Sequence, residues 1–218
     1  MKTKEKILHQ GLRLFNESGV DQVSALEISQ SLGISYGNLT YHFKRKDEIV
    51  LALYTQMQEE LDASMANLVE HLFAQTYYLK LVNELFEVIW KYRFVYLNIN
   101  SLMNQFESIR QAEKSYLATR KAILNKAKMV LIQEGYLHPD AGENYQRVIQ
   151  NLNIVLTAWI IDAKLFYDGS ITEKITSYAA LFYSIALTHA TDKGHKRYQQ
   201  LVDHVAIVDK AIGISSEI

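Results

Sequence analysis

Apolar residues recur at three- and four-residue spacing through most of the chain, and alternating patterns bounded by turn residues are hard to find. That spacing belongs to helices with one buried face. In the first segment Ile7, Leu8, Gly11, Leu12 and Phe15 share such a face, and Gly19 offers the left-handed conformation that ends a helix. Ser24 then opens Ser24-Ala25-Leu26-Glu27, a capping-box pattern, and its helix turns Ala25, Ile28 and Leu32 inward before stopping at Gly33. Ser35 is a second N-cap, and the short helix after it sets Leu39 and Phe43 one turn apart. Lys44, Arg45 and Lys46 close this helix, and Asp47-Glu48 begin a fourth that runs to about residue 71.

Further along, the pattern predicts a helix over about 76–98 with Leu81, Leu85, Ile89, Tyr92 and Tyr96 as its stripe. The stretch 101–134 holds neither Gly nor Pro, yet it needs at least one break that the pattern does not locate. Gly135 and Pro139 mark a turn. Asp140-Ala141-Gly142-Glu143 resembles a cap and opens a helix to about 167. Asp168-Gly169-Ser170 is a tight loop, Ser170 and Glu173 form another capping box, and the next helix runs to about 190. A weaker amphipathic helix is expected near 195–210. With one proline and nine glycines in 218 residues, the predicted class is all-α.

Composition narrows the function classes. A hydrophobic share of 49% supports a packed core, and a net charge of −1 excludes a uniformly basic protein but not a basic face. The absence of cysteine removes disulfides, zinc-thiolate sites, Fe–S clusters and thiol nucleophiles. No Glu-x-x-His pair occurs, Asp192-x-x-His195 stands alone in an expected loop, and no nucleophile elbow or glycine-rich phosphate loop is present. The reading is therefore of a chain that is not an enzyme, with no cofactor and no metal. Lys2, Lys4 and Lys6 follow Met1 without an apolar run, so no secretory signal is expected. The most apolar stretch, Ile154 to Ile161, is far shorter than the ~20 residues of a membrane span. A cytoplasmic protein with no membrane partner is expected.

The positive signal lies in the two short helices joined through Gly33-Ile34-Ser35. A glycine in the turn, apolar anchors on both helices and small or polar residues facing outward make a helix-turn-helix pattern, whose second helix fits a DNA major groove. Tyr36, Gly37, Asn38, Thr40 and Tyr41 are available to face out, while Leu39 and Phe43 point in. Gly37 admits close approach of the backbone, and Asn38 suits a base edge or a phosphate. Tyr41, His42, Thr40 and Lys46 suit phosphates, and the helix N-termini near Ser24 and Asp47 offer N–H groups to the same anions. Residues 1–46 hold seven Lys and Arg against four acids, a net of +3, and the remainder holds sixteen against twenty, a net of −4. The sign is that required for phosphate binding.

Residues 7–50 resemble the DNA-binding domain of TetR-family transcriptional regulators. The matching positions are Ile7, Leu14-Phe15, Gly19, Ile28, Gly33-Ile34-Ser35, Gly37, Leu39, His42-Phe43, Lys46 and Ile49. Three positions depart: Gly11 stands where alanine is usual, Thr40 where a phosphate-contacting tyrosine is common, and Ser24 where threonine is usual. The resemblance implies a three-helix DNA-binding domain over 1–47 and a larger helical effector-binding and dimerisation domain over 48–218. It implies a homodimeric regulator, a repressor in the usual case, on double-stranded DNA with a pseudo-palindromic operator. It places Ser24, Ser35, Tyr36, Gly37, Asn38, Thr40, Tyr41, His42 and Lys46 at the DNA. It also implies a small-molecule effector of unknown identity, for which Trp90, Phe94, Phe106, Tyr116 and Trp159 are the candidate ligand-binding residues. The dimer is expected from the helices at about 140–167 and 171–190, apolar on more than one face. The rival reading is a helical small-molecule or acyl-chain carrier whose DNA-binding motif is vestigial.

Overall fold

The computed structural model describes residues 1–70, 77–139 and 144–200, and side chains other than those of 67–70, 77–81 and 144. Among these residues the chain is helical, apart from turns and one isolated antiparallel bridge between Leu137 and Ala190. It divides into two compact units, Met1–Asp62 with Glu87–Tyr116, and Ala63–Phe86 with the chain from Leu117 onward.

The first unit begins with α1 (Thr3–Ser18), α2 (Ala25–Ser31), α3 (Tyr36–His42) and the start of α4 (Lys46–Glu70). Ile7, Phe15, Ile28, Leu39, Ile49 and Leu53 are fully buried, each worth roughly 1.5–3 kcal/mol of transfer free energy. Gly11 has a packing reason: a Cβ there would lie 3.1 Å from Cγ2 of Ile49, so the glycine lets α1 and α4 close.

The predicted helix over 76–98 is interrupted. α5 covers Tyr77–Lys91, α6 Arg93–Leu97 and α7 Ile99–Gln105, with non-helical backbone at Tyr92 and Asn98. The cause sits on α1. The Asn16 amide donates to the Lys91 carbonyl at 2.8 Å, and its oxygen accepts from the Phe94 N–H at 3.0 Å. One side chain thus satisfies two backbone groups freed by the break. Phe94 is seated against Phe15 with ring centroids 5.5 Å apart. The break expected somewhere in 101–134 falls at Phe106, extended between α7 and α8 (Glu107–Gln133).

The second unit packs α9 (Asn144–Phe166) against α10 (Ile171–Ala186) through the short loop between them. Trp159 is its centre, with Phe86 at 5.2 Å and Tyr178 at 5.5 Å between ring centroids. The Tyr178 hydroxyl donates to Asp162, and burial together with that carboxylate raises its pKa above the ordinary tyrosine value. The Ser170–Glu173 capping box forms as expected. α10 ends at Ala186 rather than near 190, because residues 189–191 leave the helix to pair with 136–138. Asp192 and His195 lie on a helix covering 192–200, not in a loop. The expected cap at 140–143 and the last helix beyond residue 200 lie outside the described residues, and Leu81 of the stripe lies on α5 with its side chain outside them.

By length and composition, Tyr145–Phe166 is long and apolar enough to cross a membrane, although Ile154–Ile161 alone is not. Its apolar window is 44% buried inside the protein, and the core of the second unit accounts for that face.

Candidate nucleic-acid interface

Local hydrogen bonds hold the two short helices of the first unit. The Ser24 hydroxyl accepts from the Glu27 N–H at 3.1 Å, and the Glu27 carboxylate accepts from the Ser24 N–H at 2.6 Å and its hydroxyl at 2.8 Å. Those bonds, the backbone one first, lower the Glu27 pKa below its ordinary value. At the far end Gly33 takes φ +66°, and the N–H groups of Gly33 and Ile34 return to the carbonyls of Gln30 and Ser29. This is a Schellman closure, and it needs the left-handed backbone glycine supplies. Ser35 then caps α3, accepting from the Asn38 N–H at 3.1 Å.

Helix α3 is anchored by Leu39, fully buried, and by Phe43 at its end. Its other face is open. Tyr36 is 50% and Tyr41 85% exposed, and Gly37 and Asn38 lie exposed between them. Thr40 is half-buried, with its hydroxyl donating to the Gly37 carbonyl at 3.1 Å. His42 is half-buried and stands edge-on to Tyr41, with centroids 5.2 Å apart. Gly37 has an ordinary negative φ, and a Cβ added there would meet only the Ser35 hydroxyl, at 4.0 Å. Nothing among the described residues requires glycine at this position.

Lys46 is more committed than its sequence position suggests. Its ammonium donates to the Val20 carbonyl at 2.8 Å and so ties the start of α4 to the loop between α1 and α2. An ammonium has two further donors. Lys44 and Arg45, absent from the candidate set, are exposed, and neither side chain has an ion pair among the described residues. Only the run of three cations signalled them in sequence. Ser24, Ser35, Tyr36, Gly37, Asn38, Thr40, Tyr41, His42 and Lys46 all belong to this one unit, on α2, α3 and their flanks.

The aromatic candidates for an effector site are dispersed. Trp90, Phe94, Phe106 and Tyr116 belong to the first unit and Trp159 to the second. Phe94 and Trp159 are core residues, Trp90 carries the Arg93 guanidinium 4.6 Å from its ring centre, and Phe106 marks the break before α8. None of the five lines either described cavity, one within each unit.

Two family models match the chain. Residues 7–53 match the bacterial regulatory proteins of the tetR family, and residues 55–198 match the TetR bacterial transcriptional repressor domain. The chain belongs to the TetR family. The family consists of DNA-binding transcriptional regulators, and α2 and α3 are its helix-turn-helix. A probable helix-turn-helix regulator of Bacillus subtilis, YttP, is 25% identical over 142 residues, or 61% of this chain. The match spans 64% of that relative's length. A TetR-family regulator from Marinobacter aquaeolei shares the fold at TM-score 0.81 and 24% identity, over 93% of this chain and 98% of the other. SmeT of Stenotrophomonas maltophilia, solved with triclosan, shares it at TM-score 0.60 and 16% identity, over 87% and 92%.

Proposed function

We propose that this TetR-family chain is a cytoplasmic, ligand-responsive repressor that binds a pseudo-palindromic operator as a homodimer. The observation that carries the DNA-reading part is Gly37. Glycine inside a helix costs roughly 0.5–1 kcal/mol relative to alanine. Among the described residues the fold gives no return for it, since a Cβ there would meet only the Ser35 hydroxyl, at 4.0 Å. A backbone approached by something outside the chain accounts for it. Asn38 and Tyr36 on the first turn of α3 then read base edges, and Ser24, Ser35, Thr40, Tyr41, His42 and Lys46 hold phosphates. On this reading residues 1–47 are the DNA-binding part and 48–218 the regulatory part.

The dimer reading rests on α9 and α10. Trp159, Ile160 and Phe182 are used up in the core, but Ile154, Ile161, Leu165, Phe166 and Leu181 are 44–79% exposed. Ile154, Ala158, Ile161 and Leu165 fall four, seven and eleven residues along α9, on one exposed stripe. A second copy related by a two-fold axis covers such a stripe with its own, and obligate interfaces of this kind commonly bury ~2,000 Å² or more. Two recognition helices about 34–36 Å apart then reach successive half-sites.

The triclosan-bound SmeT supports a small-molecule effector, with Trp90, Phe94, Phe106, Tyr116 and Trp159 as the residues to test. An effector that favours a dimer with wrongly spaced α3 helices lowers operator affinity by its differential binding, typically ~1–3 kcal/mol. No bond is made or broken in this cycle. A gel shift on random duplex DNA at several salt concentrations tests the reading. Binding whose logarithm falls linearly with log salt supports it, and no binding at low salt returns the chain to the carrier class.

A further inference from the structure

The first turn of α1 carries a cation that the fold does not account for. Lys4 is exposed and makes no hydrogen bond or ion pair with any described residue. It also stands where the start of a helix already carries partial positive charge, so α1 itself gains nothing from a lysine there.

A ring nonetheless seats it. The Lys4 ammonium lies 5.4 Å from the centre of the Phe43 ring, within cation–π range. Phe43 is buried and closes α3, its N–H donating to the Leu39 carbonyl at 2.9 Å. The contact therefore brings the start of α1 to the end of the recognition helix. Lys44 and Arg45 follow Phe43 directly, exposed and without an ion pair among the described residues. The acids nearest in sequence are engaged by backbone groups. Glu5 accepts from the Lys2 N–H at 2.9 Å, and Glu48 from the Lys44 N–H at 2.9 Å. Lys4, Lys44 and Arg45 thus come from two separate stretches of chain to one end of α3.

That end has a defined place on a duplex. α3 has seven residues, roughly 10 Å of helix, and the major groove is about 12 Å wide. A recognition helix sets its N-terminal residues on base edges, which here are Tyr36 to Asn38. The opposite end, at Phe43, is then directed out of the groove toward the phosphates that border it.

We propose that Lys4 is a phosphate contact made from α1, outside the helix-turn-helix, and seated beside Lys44 and Arg45 by the Phe43 ring. The contact rests on the reading of α3 as the helix that enters the groove. Phe43 then has two tasks: it anchors α3 in the core and holds a cation at the groove's edge. A lysine acts there as a point charge on a flexible stem, so it adds affinity for any duplex and no sequence preference.

Titration of random-sequence duplex DNA with the full chain, at salt concentrations from about 50 to 200 mM, tests it, since such DNA reports phosphate contacts without base reading. Lys4→Gln should weaken binding roughly five- to tenfold at the low end and reduce the salt slope by about 0.9. Its deficit should therefore shrink roughly three- to fourfold across that range. The slope counts released counterions, so a loss of stability alone does not lower it. Lys4→Arg should restore the slope. Lys6→Gln removes the same charge two residues on, roughly 200° round α1, and should leave affinity and slope near those of the wild type. An unchanged slope in Lys4→Gln, no restoration by Lys4→Arg, or an equal loss in Lys6→Gln overturns the proposal. A wild type without salt-dependent binding would overturn the reading of α3 and this contact with it. A wild type that binds, beside a Lys4→Gln variant that keeps its slope, would overturn the contact at Lys4 alone.

Discussion

Helices α3 and α9 both leave large side chains in solvent, with opposite chemistry. On α3 the open face is Tyr36, Gly37, Asn38 and Tyr41, with Lys44 and Arg45 just beyond. On α9 it is Ile154, Ala158, Ile161 and Leu165, with Phe166 at the end. A polar, hydroxyl-rich face beside free cations is stable in water and suits a hydrated polyanion. An aliphatic stripe is not indifferent to water, and what removes it from water is another aliphatic stripe. The α3 face belongs to a helix of seven residues, capped at its start by Ser35 and ended at Phe43, whereas α9 has 23 residues. The first kind of surface announces itself in sequence as a motif, the second only as excess hydrophobicity.

The largest effect should come from breaking the α9 stripe. Ile161→Glu with Leu165→Glu places four added charges in a two-fold interface, because each change occurs twice. Sedimentation at micromolar concentration should shift from dimer to a 25.1 kDa monomer. Operator affinity should fall roughly a hundredfold or more as the linked second half-site is lost. A variant that remains dimeric would move the interface off α9.

Next in size is the reading face. Asn38→Ala or Tyr36→Ala should cost roughly 1–3 kcal/mol at the specific site and little on random DNA. Equal losses on both DNAs, in a filter-binding comparison, would reduce these residues to positioning contacts and bring α3 closer to a generic polar surface.

The contrast also explains what could be read in advance. α1 to α3 were legible because their ends are fixed within three to five residues: Ser24 by Glu27, Gly33 and Ile34 by the end of α2, Ser35 by Asn38. The breaks at Tyr92 and Asn98 were not legible, since the side chain that stabilises the first is Asn16, 75 residues before Lys91. The early end of α10 has the same kind of cause, a strap to 136–138 more than fifty residues away. Lys46 was recognisable as a cation beside the recognition helix, but its bond to Val20 spans 26 residues and no local rule reveals it.

That bond gives Lys46 two roles to separate. Lys46→Ala should lose ~0.5–1.5 kcal/mol of stability with the Val20 contact. If a remaining ammonium hydrogen also holds a phosphate, affinity should fall about equally for all sequences and the salt slope by roughly one. Chemical denaturation and a salt titration read the two effects independently. A stability loss with an unchanged slope would make Lys46 a clamp on the α1–α2 loop, and leave phosphate binding to Lys44 and Arg45.

Gly37→Ala should have the smallest effect on the fold and the most informative sign. With no atom but the Ser35 hydroxyl near the new methyl group, and that at 4.0 Å, the substitution meets no steric penalty. Alanine is the better helix former, so stability should rise by roughly 0.5–1 kcal/mol. On the DNA side the same methyl group intrudes where the α3 backbone would approach, so operator affinity should fall. Denaturation and operator titration on one variant should therefore move in opposite directions. A gain in stability with no loss of affinity would mean that α3 does not bring its backbone at 37 to the DNA, and the strongest single reason for reading this face as the interface would be gone. A loss of stability would instead point to a constraint within the fold, and α3 would then resemble α9, where packing alone decides which residues are tolerated.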